Sequence, residues 1–199
     1  MKDSLPLYRD FSSIHAVDPE YYSAKYDVKR GLRNADGTGV LAGVTNISNV
    51  HGYVVSEGDK VPDRGRLSYR GYSINDLVDH AVQENRFGFE ETAYLLMAGS
   101  LPTAEEFAQF KALIDEQRDL PDGFTANYIM KPPTRDVMNC LARSVLQLYA
   151  FDPNAEDRSA EHEIDTSIAL LSRLPRIMVL AYHVMRDKFY GDSMFIHHF

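Results

Sequence analysis

Seven histidines, one cysteine and 29 acidic residues are the groups in this 199-residue chain that could move protons, attack electrophiles or hold metals. Their spacing suits none of these tasks. His80 falls on an amphipathic helical pattern, His162 at a helix start, and His183 in the last turns of a long helix where a cation suits the dipole. The pair His197-His198 lacks the further ligands at fixed spacing that a metal site needs. Glu90-Glu91 and Glu105-Glu106 belong to first helical turns, where carboxylates face the positive end of the helix dipole. Cys140 lies in an apolar helical pattern and is expected as a buried, unreactive thiol; a single cysteine also excludes an internal disulfide. The glycines at 31, 37, 39 and 43 are followed by no Gly-Lys-Ser/Thr, and no Gly-x-Gly-x-x-Gly opens a helix, so neither a P-loop nor a dinucleotide fingerprint is present. The run Arg66 to Leu77 holds two arginines and two tyrosines and so invites an anion site, but on exposed strand positions such residues are expected at the surface.

The elements that would position these groups are mostly helical. Residues 1–17 show no sustained period, and Asp18-Pro19-Glu20 starts a short N-terminal helix. Tyr53–Ser56 and Arg66–Tyr69 read as short strands joined by a turn-rich loop from Glu57 to Gly65, a small hairpin. Gly71 then makes a corner and Ser73 caps a helix whose apolar face is Ile74, Leu77, Val78 and Ala81. A second helix begins at Phe89 and stops at Gly99; a third opens with Thr103 and Glu106 at capping-box spacing. Pro121-Asp122-Gly123 ends it, a short helical piece spans Phe124–Met130, and Thr134 is expected to cap the next helix, from about 135 to 149. There Asn139, Arg143 and Gln147 form one narrow polar stripe, which predicts a helix covered on most sides. The last helix, from about 160 to 189, runs Ile164, Ile168, Leu171, Leu174, Met178, Ala181 and Met185 down one face, with a kink expected at Pro175.

Composition sets outer bounds. A formal charge of −8 and a pI near 5.3 argue against nucleic acid or an anionic membrane surface as the main partner. No continuous apolar run approaches the roughly 20 residues that span a bilayer, and Met1 to Pro6 lacks the apolar block of a signal peptide, so a cytoplasmic location is expected. The acidic cluster Asp152, Glu156, Asp157, Glu161 and Glu163 reads as a solvated loop and first helical turn. No repeat or linker-like stretch divides the chain.

Several motifs stand in register with one family. Gly31-Leu32-Arg33, Leu41-Ala42-Gly43-Val44-Thr45-Asn46-Ile47-Ser48 and Leu67-Ser68-Tyr69-Arg70-Gly71-Tyr72-Ser73-Ile74 are followed by Phe89 to Leu96, Gly99, Leu101-Pro102-Thr103 and Leu171-Ser172-Arg173-Leu174-Pro175. In order and spacing this resembles the citrate synthase family. The resemblance implies a mainly α fold: the N-terminal portion of a large domain, with a small β-hairpin region near residues 40–70 followed by a helical bundle. It implies one unit over 1–199, comprising an arm and short helix (1–30), the hairpin region (31–72) and helices (73–199), with the small catalytic domain absent. It further implies condensation of acetyl-CoA with oxaloacetate to citrate and CoA, no permanently bound cofactor, and a homodimer through helices 135–149 and 160–189. The family's catalytic groups sit in motifs like Gly-Pro-x-His-Gly-Gly-Ala-Asn and Pro-Gly-Phe-Gly-His, neither of which occurs here, so no catalytic residue carries over and the chain alone is expected to be inactive. Two arginines match CoA-contacting positions: Arg33, in the segment that holds the 3′-phosphate of CoA, and Arg158, where an arginine contributed across the dimer would fall. A 2-methylcitrate synthase, using propionyl-CoA, and a non-catalytic helical dimerisation or regulatory homolog are the alternatives.

Overall fold

Two adjacent residues of positive φ, occurring twice, shape the β region. The computed structural model describes residues 5–16, 18 and 45–192. In it Glu57 (φ 53°) and Gly58 (φ 94°) join strands β1 (Ser48–Ser56) and β2 (Asp59–Tyr69), with Ser56 opposite Asp59. Arg70 (φ 48°) and Gly71 (φ 87°) then join β2 to the two-residue strand β3 (Tyr72–Ser73), with Tyr69 opposite Tyr72. Positive φ at both central residues is what a two-residue hairpin needs to follow the strand twist. The sheet is antiparallel, in the order β1-β2-β3. The expected hairpin is present but longer: Pro62, Asp63 and Gly65 lie in β2, not in a loop, because cross-strand pairing overrides their turn preference.

The helices begin where local chemistry says they should. Ser73 caps α3 (Ile74–Gln83) by accepting the Asn75 N–H at 3.2 Å. Helix α4 (Phe89–Ala98) ends on left-handed Gly99, whose N–H returns to the Leu95 carbonyl. In α5 (Ala104–Glu116) the capping box forms both ways: the Thr103 N–H donates to Glu106 Oε2 at 2.8 Å, and the Glu106 N–H to Thr103 Oγ1 at 3.3 Å. Upstream, α1 (Pro6–Arg9) and α2 (Phe11–Ile14) are single turns that the sequence pattern does not announce. The helix expected after Asp18 lies outside the described residues.

Two compact units, 1–107 and 108–199, replace the single unit expected from the unbroken composition. Their boundary falls inside α5, so no linker marks it. In the first, Leu5, Leu7, Leu77, Ala81, Tyr94, Leu95 and Ala98 are buried. In the second, a π-helical turn (Thr125–Met130), α6 (Val137–Leu148), a 3-10 turn (Tyr149–Phe151) and α7 (Ala160–Tyr190) enclose Phe124, Ile129, Cys140, Leu148, Ile177, Ala181 and Val184. Cys140 is thus the buried free thiol expected.

Three expectations need correction here. Asp136, not Thr134, caps α6, accepting the Asn139 N–H at 3.0 Å; Thr134 acts one step earlier, on the Asp136 N–H. Helix α6 is not covered on most sides: Met138 and Leu146 are 71% and 78% exposed. Helix α7 is continuous through Pro175, but beyond it the buried face is Ile177, Ala181 and Val184, leaving Met178 48% exposed. Helix α7 also has the length and hydropathy of a membrane span. However, Arg173 donates from mid-helix to the Gln117 and Asp119 carbonyls at 3.1 and 3.0 Å, and Arg176 to the Asp119 carboxylate at 2.7 Å. Those bonds tie α7 to the turn that follows α5.

Candidate functional site

Of the two arginines expected to meet CoA, Arg33 lies outside the described residues and Arg158 sits on the loop between α6 and α7. That loop is built from short-range polar bonds. Asp152 Oδ1 accepts the Asn154 N–H at 2.9 Å, and the Asn154 carbonyl accepts the Asp157 N–H at 2.8 Å. The Asp157 carboxylate takes both the N–H and the hydroxyl of Ser159, at 2.8 and 3.1 Å, and Ser159 Oγ caps α7 through the His162 N–H at 3.2 Å. The His162 ring returns across the loop, its Nε2 lying 3.0 Å from Asp152 Oδ2. Both neighbours of Arg158 are therefore fixed, while its own side chain is exposed and enters no hydrogen bond or ion pair with the described residues. The backbone at Arg158 is held while its guanidinium stands in solvent.

The surroundings of Arg158 are acidic. An open hollow of about 520 Å³ beneath the loop is lined by Tyr149, Asp152, Asn154, Glu156 and Asp157 among others. The bonds from Ser159 hold the Asp157 carboxyl below the usual carboxylate range. Tyr149 donates its phenol to Glu156, which raises the phenol pKa, while the charge of Arg158 acts the other way. Nothing here pairs a nucleophile with a base, and no group of three or more potential metal ligands occurs among the described residues. A carboxylate-lined hollow repels phosphate, so Arg158 alone makes an incomplete anion site and needs a second cation.

The Arg66–Leu77 run turns out differently from its expectation. Arg66 is exposed, beside Asp63 at 2.9 Å, but Arg70 is half-buried and makes four side-chain hydrogen bonds. Its Nη1 donates to the Ile14 carbonyl (3.2 Å) and Asn46 Oδ1 (3.0 Å), and its Nη2 to the Leu96 carbonyl (3.1 Å) and His15 Nδ1 (3.2 Å). Because a guanidinium only donates, His15 Nδ1 must accept, and the ring proton resides on Nε2, which donates to the Met97 carbonyl at 2.9 Å. Asn46 adds Nδ2 bonds to the Ile14 and Ala16 carbonyls. Arg70 thus ties α2, the bend leading into β1, and the end of α4 into one knot. Strand alternation missed it because its φ of 48° takes it out of the strand, so its side chain no longer follows the pleat.

A glycine-cornered hairpin, a capping-boxed helix and an arginine presented at the head of a long helix are therefore in place. The family model described as "Citrate synthase, C-terminal domain" matches residues 33–198. The chain belongs to the citrate synthase family. The expected family is thus found, under a model described as its C-terminal domain where the motifs had suggested the N-terminal portion. The chain is 33% identical over 159 residues to 2-methylcitrate synthase 1 of Corynebacterium glutamicum, covering 80% of this chain and 36% of that protein. It is 27% identical over 155 residues to the citrate synthase of Saccharolobus solfataricus, covering 78% and 35%. Its fold matches that of citrate synthase from Thermoplasma acidophilum, solved as a ternary complex with carboxymethyl coenzyme A and oxaloacetate (TM-score 0.60, 21% identity, 73% of this chain and 34% of that one). The chain therefore spans about a third of the length of these citrate synthase relatives.

Proposed function

We propose that this chain is the helical scaffold part of an acyl-CoA-condensing synthase: it supplies one edge of a CoA site and the helices of a homodimer, and does not carry the catalytic groups. The observation that supports the reading most is the family match over residues 33–198, which includes the long helix and both CoA-type arginines. Condensation needs a base for the acyl α-proton, a donor for the enol oxygen and cations for the oxaloacetate carboxylates. The histidine motifs that would provide the first two are absent from the 199 residues. What the chain offers is Arg33, a cation for the 3′-phosphate of CoA, and Arg158, a cation that would reach the CoA of the other subunit across the dimer; CoA is a substrate and product and not a resident cofactor. The exposed apolar side chains Met138 and Leu146 of α6 and Met178 and Tyr182 of α7 are the surface a homodimer would cover, in a cytoplasmic protein.

The match to a 2-methylcitrate synthase at 33% identity favours a second reading, in which the acyl donor is propionyl-CoA. One assay addresses both. Purified chain is incubated with oxaloacetate and either acetyl-CoA or propionyl-CoA, and free thiol is followed. The expected result is no release above the uncatalysed rate with either donor; sustained turnover with either would overturn the placement of catalysis outside this chain.

A further inference from the structure

The bonds around Arg158 form a closed ring. They run from Asp152 to Asn154, from Asn154 to Asp157, from Asp157 to Ser159, from Ser159 to the His162 N–H, and from the His162 ring back to Asp152. Arg158 lies within that ring and its side chain takes no part in it.

The links are unequal. Those along the loop join residues no more than three positions apart, and bonds of that reach form within a segment wherever the segment as a whole lies. Tyr149 donates to Glu156 and ties the loop to the 3-10 turn, but that bond stops short of α7. The His162–Asp152 contact joins the first turn of α7 to the residue that follows the 3-10 turn, with 3.0 Å between Nε2 and Oδ2. It holds the two ends of the loop together. A carboxylate only accepts, so a proton lies on Nε2 and the bond is charge-assisted. The two side chains are only 20% and 27% exposed, which shields the bond from the water that weakens a surface pair. His162 is also anchored at its backbone, whose N–H reaches Ser159 Oγ at 3.2 Å, and Thr166 Oγ1 lies 3.4 Å from its Nε2.

We propose that His162 is a positioning residue for Arg158: by closing the ring through Asp152 it fixes the direction in which the loop offers the guanidinium to CoA. An arginine on an open loop has to be ordered when its ligand arrives, and a closed ring meets that entropic cost in advance. The benefit to CoA rests on the reading of Arg158 as a CoA contact. The closing of the loop does not.

The test has two arms on the full chain. Trypsin cuts after arginine only where the backbone can open away from the fold, so cleavage between Arg158 and Ser159 reports the loop directly. His162→Ala is expected to speed that cleavage about tenfold or more, the effect of losing one charge-assisted bond. His162→Gln, which can still donate to Asp152, is expected to stay within about threefold of wild type. Arg173 and Arg176, bonded in mid-helix, are expected to stay uncut in both variants, which shows that the fold survives. Calorimetric titration with CoA reads the consequence. His162→Ala is expected to weaken binding as Arg158→Ala does, and His162→Gln to restore it. The double substitution of His162 and Arg158 by alanine is expected to bind no worse than Arg158→Ala alone, because His162 acts through Arg158. Unchanged cleavage in His162→Ala, no recovery in His162→Gln, or additive losses in the double variant would each overturn the proposal. If His162→Ala opens the loop but Arg158→Ala binds CoA as wild type does, the CoA reading fails and His162 remains the residue that closes the loop.

Discussion

The Arg70 corner and the loop carrying Arg158 each hold an arginine at a turn and use it in opposite ways. At the corner the guanidinium is half-buried and donates to two carbonyls, an amide oxygen and a ring nitrogen from three separate stretches of chain. On the loop the backbone is pinned on both sides by Asp157 and Ser159 while the guanidinium stands in solvent. A cation whose two Nη groups are engaged by its own chain, as at Arg70, fixes structure; one whose donors are empty can meet a ligand. Charge and residue type alone do not separate these two cases. The connectivity of the donors does.

The comparison breaks first, and hardest, at Arg70. Replacing it with methionine keeps much of the volume but leaves the Ile14 and Leu96 carbonyls and His15 without their donor in a half-buried place. That is expected to lower stability by about 2–4 kcal/mol, with Arg70→Lys recovering only part because one ammonium cannot span four acceptors. Urea midpoints of the two variants check this. A loss below about 0.5 kcal/mol, the range of ordinary surface substitutions, would return Arg70 to the surface role its strand position suggested.

A second effect lies near the same knot. Tyr94 on α4 is fully buried, and burial, aided by the charge of Glu106, pushes its phenol up to about 12. A pKa raised in the folded state means that the fold holds the proton more tightly than the unfolded chain. The stabilisation is complete below the unfolded value, near 10, and is lost as pH rises toward about 12. Thermal melts are expected to show a loss of order 2 kcal/mol across that window, and Tyr94→Phe is expected to flatten it. An unchanged slope in the variant would place the titration elsewhere.

Gly99→Ala is smaller still. The residue sits at φ +83°, and an added Cβ would come within 2.9 Å of Ile14 Cγ2, so about 1–2 kcal/mol should be lost in the same denaturation experiment. Arg158→Ala is expected to change stability by under about 0.5 kcal/mol, since its side chain holds nothing in place.

These positions also show what could be read from the amino-acid order. Ser73, Gly99 and the Thr103–Glu106 pair were legible because caps are local: the Ser73, Thr103 and Glu106 side chains and the Gly99 N–H each bond to backbone two to four residues away. Thr134 and Asp136 compete for one helix start, and only the Asn139 N–H decides between them. The strand bounds failed because Pro62 and Gly65 speak for a turn locally, while β1 pairs across and around them at a bulge. The face of α7 beyond Pro175 was lost for a related reason, since the elements packed on a helix select its buried side and leave Met178 outside. For the site, the acidic cluster around Arg158 and the nearby helix start were legible, but that Asp152, Glu156 and Asp157 line one hollow was not, because the loop's fold and not its composition brings them together. The Arg70 knot joins residues from 14 to 97, a range no local pattern spans.

The central claim, that Arg33 and Arg158 serve CoA, is tested most directly by calorimetric titration of the full chain with CoA and with 3′-dephospho-CoA. If Arg33 holds the 3′-phosphate and Arg158 reaches CoA across the dimer, CoA binds about tenfold or more tightly than its dephosphorylated form, the charge-assisted contact contributing of order 1.5 kcal/mol. That preference is expected to shrink in Arg33→Ala, while Arg158→Ala weakens binding of both ligands. Equal affinities for the two ligands, or a preference that survives Arg33→Ala, would contradict the claim.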